Sequence, residues 1–109
     1  MIEIKEGPEL DLRIASAVDL VCDVRDGKIF ALFSGDNVTA FEEEFSPSTD
    51  LESAFLAAVM VDLFDGNWLG KLVTGWAVME LETREVIGPN SGCSTPALAI
   101  CAAILKANE

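Results

Sequence analysis

The chain has no histidine and no tyrosine, and between Lys28 and Lys71 it has no lysine or arginine. Without histidine a Ser-His-Asp hydrolase triad cannot be assembled. The base-free stretch holds eight acids: Asp36, Glu42, Glu43, Glu44, Asp50, Glu52, Asp62 and Asp65. Across all 109 residues, 19 acids stand against 7 bases, a net charge of -12. Like charges at that density oppose compaction, and they confer solubility and attraction to positive partners. Such a surface excludes charge-driven binding of nucleic acid or of an anionic membrane. It can compete with nucleic acid for the basic groove of a protein.

Cysteine is scarce. Cys22, Cys93 and Cys101 are odd in number, widely spaced and without histidine, which excludes a self-contained disulfide framework and any zinc-ligand spacing. Cys101, inside the apolar run Ala97 to Leu105, reads as a small core residue. Free thiols point to a reducing cytoplasm. Long apolar runs are missing too, so no segment is expected to span a bilayer. The start, Met1 to Glu6, lacks the pattern of a signal peptide. The expectation is a soluble, cytoplasmic protein.

What is present is apolar bulk. Hydrophobic residues make up 50% of the chain, so its acidity is not that of a disordered tail. Residues 1–109 suffice for one domain with a single core. Pro8 and Glu9 open a helix with Leu10, Ile14, Ala15, Val18 and Val21 on one face. Thr49 and Glu52 have capping-box spacing before a second helix that runs to about Phe64 and stops at Asp65-Gly66-Asn67. Leu51, Phe55, Ala58 and Val59 form one stripe of it, and further apolar residues cover much of its girth. Such a helix lies deep in the fold or is shared with a partner subunit. Thr95-Pro96 opens a third helix, with Ala97, Ile100, Cys101, Ile104 and Leu105 along its stripe.

Strands fill the intervals. Lys28 to Phe33 reads as a strand covered on both faces, and Val38 to Phe45 as its hairpin partner. A second hairpin fits Lys71 to Leu81 with Glu85 to Ile87. No internal repeat is evident. The predicted order is α-β-β-α-β-β-α, an α+β domain whose antiparallel sheet is packed by helices near 9–20, 50–64 and 96–107.

Two segments resemble the phage ABA-sandwich family of bacteriophage and prophage proteins. Phe45-Ser46-Pro47-Ser48-Thr49-Asp50 is similar to that family's approach to an Ala-rich helix, with Phe55 where Trp is usual. Ser94-Thr95-Pro96 to Ala107 resembles its closing helix, and Leu10 to Ala15 is a weaker echo. The resemblance implies a fold and a phage origin, hence a host bacterial cell. It implies no activity, cofactor or catalytic residue.

Candidate chemistry is thin. Cys93 precedes a helix start, a favourable place for a thiolate, and otherwise it is a loop cysteine with no duty. The loop Gly88 to Thr95 offers backbone amides to an anion, although it lacks the lysine of a phosphate loop. Glu42, Glu43 and Glu44 lie on a strand, so neighbours point to opposite faces and do not converge on a metal. Trp68 follows a turn and reads as an exposed interface anchor, Trp76 as core.

The leading expectation is a non-enzymatic phage protein that inhibits host antiviral defence, anti-CRISPR-like. As a DNA mimic, it would block a basic nucleic-acid channel with Asp36, Glu42, Glu43, Glu44, Glu52, Asp62 and Asp65, assisted by Trp68. The same acids also serve as ordinary solubilising surface. Two alternatives stand beside it: an assembly protein dimerising through helix 50–64, favoured by an exposed apolar helix face, and a nucleotide-signal sponge using the Gly88 to Thr95 loop. No cofactor or metal is expected.

Overall fold

The computed structural model describes residues 5–35, 38–89 and 92–107, with the backbone alone for 32–35 and 38–43. The chain is α+β, as its sequence predicts. Its elements are α1 (Pro8–Ala17), β1 (Cys22–Arg25), β2 (Lys28–Gly35), β3 (Val38–Glu44), α2 (Leu51–Met60), β4 (Asn67–Lys71), β5 (Trp76–Glu80), β6 (Val86–Ile87) and α3 (Pro96–Ala107). The strands form two antiparallel meanders, β1-β2-β3 and β4-β5-β6.

Two strands escape the sequence reading. Asp26 and Gly27, at φ 52° and 77°, form the tight turn of a β1–β2 hairpin, because two positive φ values match the twist of paired strands. Lys71 to Leu81 is not one strand. It breaks at Leu72–Gly75, and β4 pairs with β5 across that turn. Nor are the described side chains of β2, at 28–31, covered on both faces, and those of Leu32 and Phe33 lie outside the described residues. Ile29 and Ala31 are buried, while Phe30 lies half-buried under the Arg25 guanidinium, 4.4 Å from its ring centre.

A repeat emerges that residue identity hides. α1 and α2 each have ten residues and each is followed by three strands, with α3 closing the chain. Both helices end in Val-Asp-Leu, at 18–20 and 61–63. Asp19 and Asp62 take φ 58° and 52°. Leu20 N–H donates to Ala15 O at 2.8 Å, and Leu63 N–H to Ala58 O at 2.9 Å. These are Schellman stops, each with a leucine turned back on the core. The second helix therefore ends at Met60, short of Phe64.

α3 is the central element. Every residue from Ala97 to Ile104 is buried, and the helix packs on α1, α2 and all three strands of the second meander. Pro96 and the Thr95 hydroxyl, which accepts from Leu98 N–H at 3.2 Å, start it where the sequence predicts. On α1, Leu10, Ile14, Ala15 and Val18 are buried as expected, whereas Val21 lies past the stop and is 68% exposed.

α2 departs furthest from expectation. Its buried residues are Ser53, Ala54, Ala57 and Ala58, the small ones, which allow close approach to α3. Leu51 and Phe55, predicted to be core, are 38% and 39% exposed, and Val59 is 68% exposed. The cap also shifts by one residue. Asp50, not Thr49, caps the helix, accepting from Glu52 N–H at 3.3 Å and from the Ser53 hydroxyl at 3.1 Å.

The segment before α2 is tied to α1 by buried polar contacts. Ser48 N–H donates to the Asp11 carboxylate at 2.8 Å, and Gly7 N–H donates to the Ser48 hydroxyl at 2.9 Å. Asp11 is only 5% exposed. Burial raises its pKa, opposed in part by the Ser48 hydrogen bonds. The Phe45 to Asp50 segment thus touches the Leu10 to Ala15 stretch of α1, and Asp11 and Ser48 are structural.

Two predictions arise here. A carboxyl whose folded pKa is raised favours folding when protonated, and that contribution is lost as pH rises through the folded value. Asp11→Asn keeps the acceptor for Ser48 and should remove this loss, making the protein at least as stable as wild type at neutral pH. Asp11→Ala leaves the Ser48 N–H unpaired and should cost about 1–3 kcal/mol in urea unfolding. Separately, Asp62→Gly relieves a left-handed residue and removes an acid from a helix C-terminus. It should raise stability by about 1 kcal/mol, seen as a higher Tm.

Candidate functional site: an acid-rimmed apolar groove

A hollow of about 310 Å³ lies between the end of β3 and the outer face of α2. Phe55, Leu56 and Val59 supply its apolar wall, and Glu44, Asp50 and Glu52 its rim. The geometry follows from local rules. Because α2 turns its small residues towards α3, its large ones face out. Because Asp50 caps the helix and Glu52 lies in its first turn, two carboxylates stand at the positive helix end. Glu44 closes β3 just before Phe45, which is 1% exposed and anchors the corner. The Ser53 hydroxyl is committed between Asp50 and Ser46 N–H, so it serves the scaffold.

The predicted partner-binding residues do not form one face. Glu44 and Glu52 meet at this groove, and both are exposed. The backbone register sets Glu42 opposite Leu32 and Glu43 opposite Ala31, and their side chains lie outside the described residues, as does all of Asp36. Asp62 and Asp65 are exposed in the turn after α2. Asp62 lines a different hollow, of about 200 Å³, with Ala17, Ile104 and Ala107. Asp50 joins the rim although sequence reasoning placed it only at a helix start. Phe55, Leu56 and Val59 belong to a helix expected either deep in the fold or against a second copy, and their place beside an acidic rim was not foreseen.

Trp68 is not in the groove. It sits on β4, 42% exposed, with its ring laid across Gly70 and against the Met79 methyl. Met79 is its cross-strand neighbour, and Ala77 faces Gly70. Trp68 therefore covers one face of the second meander, keeping Ala77 and Met79 at 3% and 7% exposure. Trp76 is half-buried, with Lys71 over its ring at 5.8 Å.

The Gly88 to Thr95 loop is stitched to β5 instead of standing open; Asn90 and Ser91 lie outside the described residues. Cys93 and Trp76 exchange both backbone hydrogen bonds at 2.7 Å, and Gly92 N–H donates to Pro89 O at 2.9 Å. Those amides are committed within the protein. Gly92, at φ 80°, runs so close to Trp76 O that a Cβ would come within 2.8 Å. The thiols also read differently in three dimensions. Burial raises the pKa of Cys22 and Cys93, so the helix start does not make Cys93 a thiolate. Cys101 is pushed up to about 12 by burial, then by the charges of Asp11 and Cys93. Among the described residues, no three acids or cysteines are grouped as a metal site requires, and no helix is long and apolar enough to cross a membrane.

No family model, curated protein or solved structure matches this chain at a significant level. The likeness to phage ABA-sandwich proteins therefore rests on the two segments quoted above.

Trp68 gives a direct test of the packing. Gly70→Ala should destabilise the fold by about 1–3 kcal/mol because the indole must move. In a Trp68→Ala background the same change should cost little, and denaturant melts of the four proteins measure the coupling. Additive effects would show that the ring does not lie on Gly70.

Proposed function

We propose that this chain is a non-enzymatic protein-binding module whose α2 face docks on a partner surface bearing lysine or arginine beside apolar residues. One observation carries the reading: Phe55, Leu56 and Val59 line a groove whose charged rim, Glu44, Asp50 and Glu52, is of one sign. Large apolar side chains exposed together and rimmed by charge are what a binding surface presents. A rim of carboxylates selects for a basic partner, steers its approach and penalises an acidic one. The narrower form of the proposal is inhibition of host antiviral defence, with the groove engaging the basic nucleic-acid channel of a protein such as a CRISPR effector. The charge and the phage resemblance support that form. The apolar wall adds something a pure phosphate mimic does not need, a contact that salt does not screen.

The exposed face of α2 also favours a second reading, a homodimer through that helix. A two-fold dimer would bring the same rim from both copies together, each chain carrying -12. Salt separates the two readings. Screening weakens the ion pairs of a basic partner and relieves repulsion between copies, so the first association falls with salt and the second rises. Light scattering at micromolar concentration distinguishes an 11.7 kDa species from one of twice that mass.

Pull-down from a bacterial lysate expressing CRISPR effectors, at low and high salt, tests the proposal. Capture should weaken steeply with salt and be lost when Glu42, Glu43 and Glu44 are all changed to Lys. Phe55→Ser should weaken it at every salt concentration, by about tenfold or more for a buried aromatic anchor. Capture unaffected by either variant, both shown to be folded by circular dichroism, would refute the groove as the binding site.

A further inference from the structure

The second wall of the groove has a property that the α2 face lacks. Among the described residues β3 pairs with β2 alone, and no described strand lies along its other side. Phe45 N–H donates to Ile29 O at 2.8 Å, and the register then runs Phe30 to Glu44, Ala31 to Glu43 and Leu32 to Glu42. Bonded and non-bonded pairs alternate in an antiparallel ladder. The backbone of Glu43 is therefore directed at Ala31, and the N–H and C=O groups of Glu42 and Glu44 point off the sheet. The groove is lined by the end of β3 and by α2, with no residue of β2.

An uncovered edge is a template for any passing strand, and proteins blunt such edges with charge. Here the charge is three consecutive glutamates within a stretch that has no base from Ile29 to Gly70. They repel a second copy of this chain, since its own β3 carries the same sign. They do not repel a basic strand.

We propose that the β3 edge and the α2 face together form a strand-addition site for an extended, basic segment of a partner protein. The proposal rests on the protein-binding reading above and names how the partner is held. The backbone of the segment pairs with Glu42 and Glu44, as in other β-augmented complexes. Alternate residues of a strand face opposite ways, so an apolar set can cover Phe55, Leu56 and Val59 while lysines and arginines of the other set meet the carboxylates.

Titration with two synthetic peptides of equal composition tests this, each of roughly eight residues, the length of an ordinary strand. In one, Lys and Val alternate; in the other, they are grouped as on an amphipathic helix. The alternating peptide should bind and slow amide hydrogen exchange at Glu42 and Glu44, with no such change at Glu43, which β2 already protects. Glu42→Pro removes an N–H that β2 does not use and should weaken binding about tenfold or more, whereas Glu42→Gln keeps the N–H and should lose only a few-fold. The exchange measurement uses the wild-type protein and stands even if the proline variant fails to fold. Binding by a folded Glu42→Pro protein as tight as wild type would overturn strand addition. So would binding of the grouped peptide alone, with shifts confined to α2, and in that case the protein-binding reading survives. Failure of both peptides at low salt sinks both readings. Protection at Glu42 and Glu44 that grows with protein concentration, without peptide, would make a second copy the occupant and overturn the proposal.

Discussion

α3 has to be buried on every side, and the rest of the structure is arranged to do that. Its residues from Ala97 to Ile104 have no polar face, so no orientation leaves one side comfortably in water. Four of those eight are alanines, which let neighbours approach closely. α1 and α2 supply part of the cover, and the second meander supplies the remainder. One contiguous cluster of buried residues, from Leu10 to Ile104, results. The outward-facing bulk of α2 is a consequence. A helix that meets an alanine-rich neighbour through Ala54, Ala57 and Ala58 must turn Phe55 and Val59 elsewhere.

The candidate site inherits its rigidity from the contacts that hold the segment before α2. Asp11 and Ser48 fix the corner at Phe45 to Asp50, and that corner positions Glu44 on one side of the groove and the α2 cap on the other. The buried carboxylate is the costly part, since its charged form is taken out of water and only partly compensated. The charge of the chain is handled differently in different places. Asp19 and Asp62 occupy helix stops where glycine or asparagine is the usual choice, while Asp50 and Glu52 sit where a helix end welcomes them. High acidity is therefore spread through the fold, and only part of it gathers at the groove.

A site made from an apolar helix face and a strand edge is hard to see in one dimension. The acids were legible as a base-free stretch, but their sequence proximity was a poor guide to spatial proximity. Glu44 and Glu52 converge because a turn folds β3 back beside α2. Asp62 lies at the opposite end of that helix, and Trp68 belongs to another sheet. The Val-Asp-Leu pair and the Asp26-Gly27 turn were signals within reach. The first marks two helix ends by its left-handed aspartate, and the second marks a hairpin whose short partner strand, Cys22–Arg25, has too little alternation to stand out.

By itself the sequence determined the α+β class, the starts of all three helices to within a residue or two, the β2–β3 hairpin and the burial of α1 and α3. Those features depend on local signals such as proline, hydroxyl and carboxylate caps, and on apolar periods read within one element. Only the tertiary structure decided which face of α2 is buried, that the strands split into two meanders, and that Trp68 lies over Gly70. Each of those depends on a neighbour distant in sequence. Small residues can be core or loop, and large apolar residues can be core or docking surface, until the element that packs against them is in place.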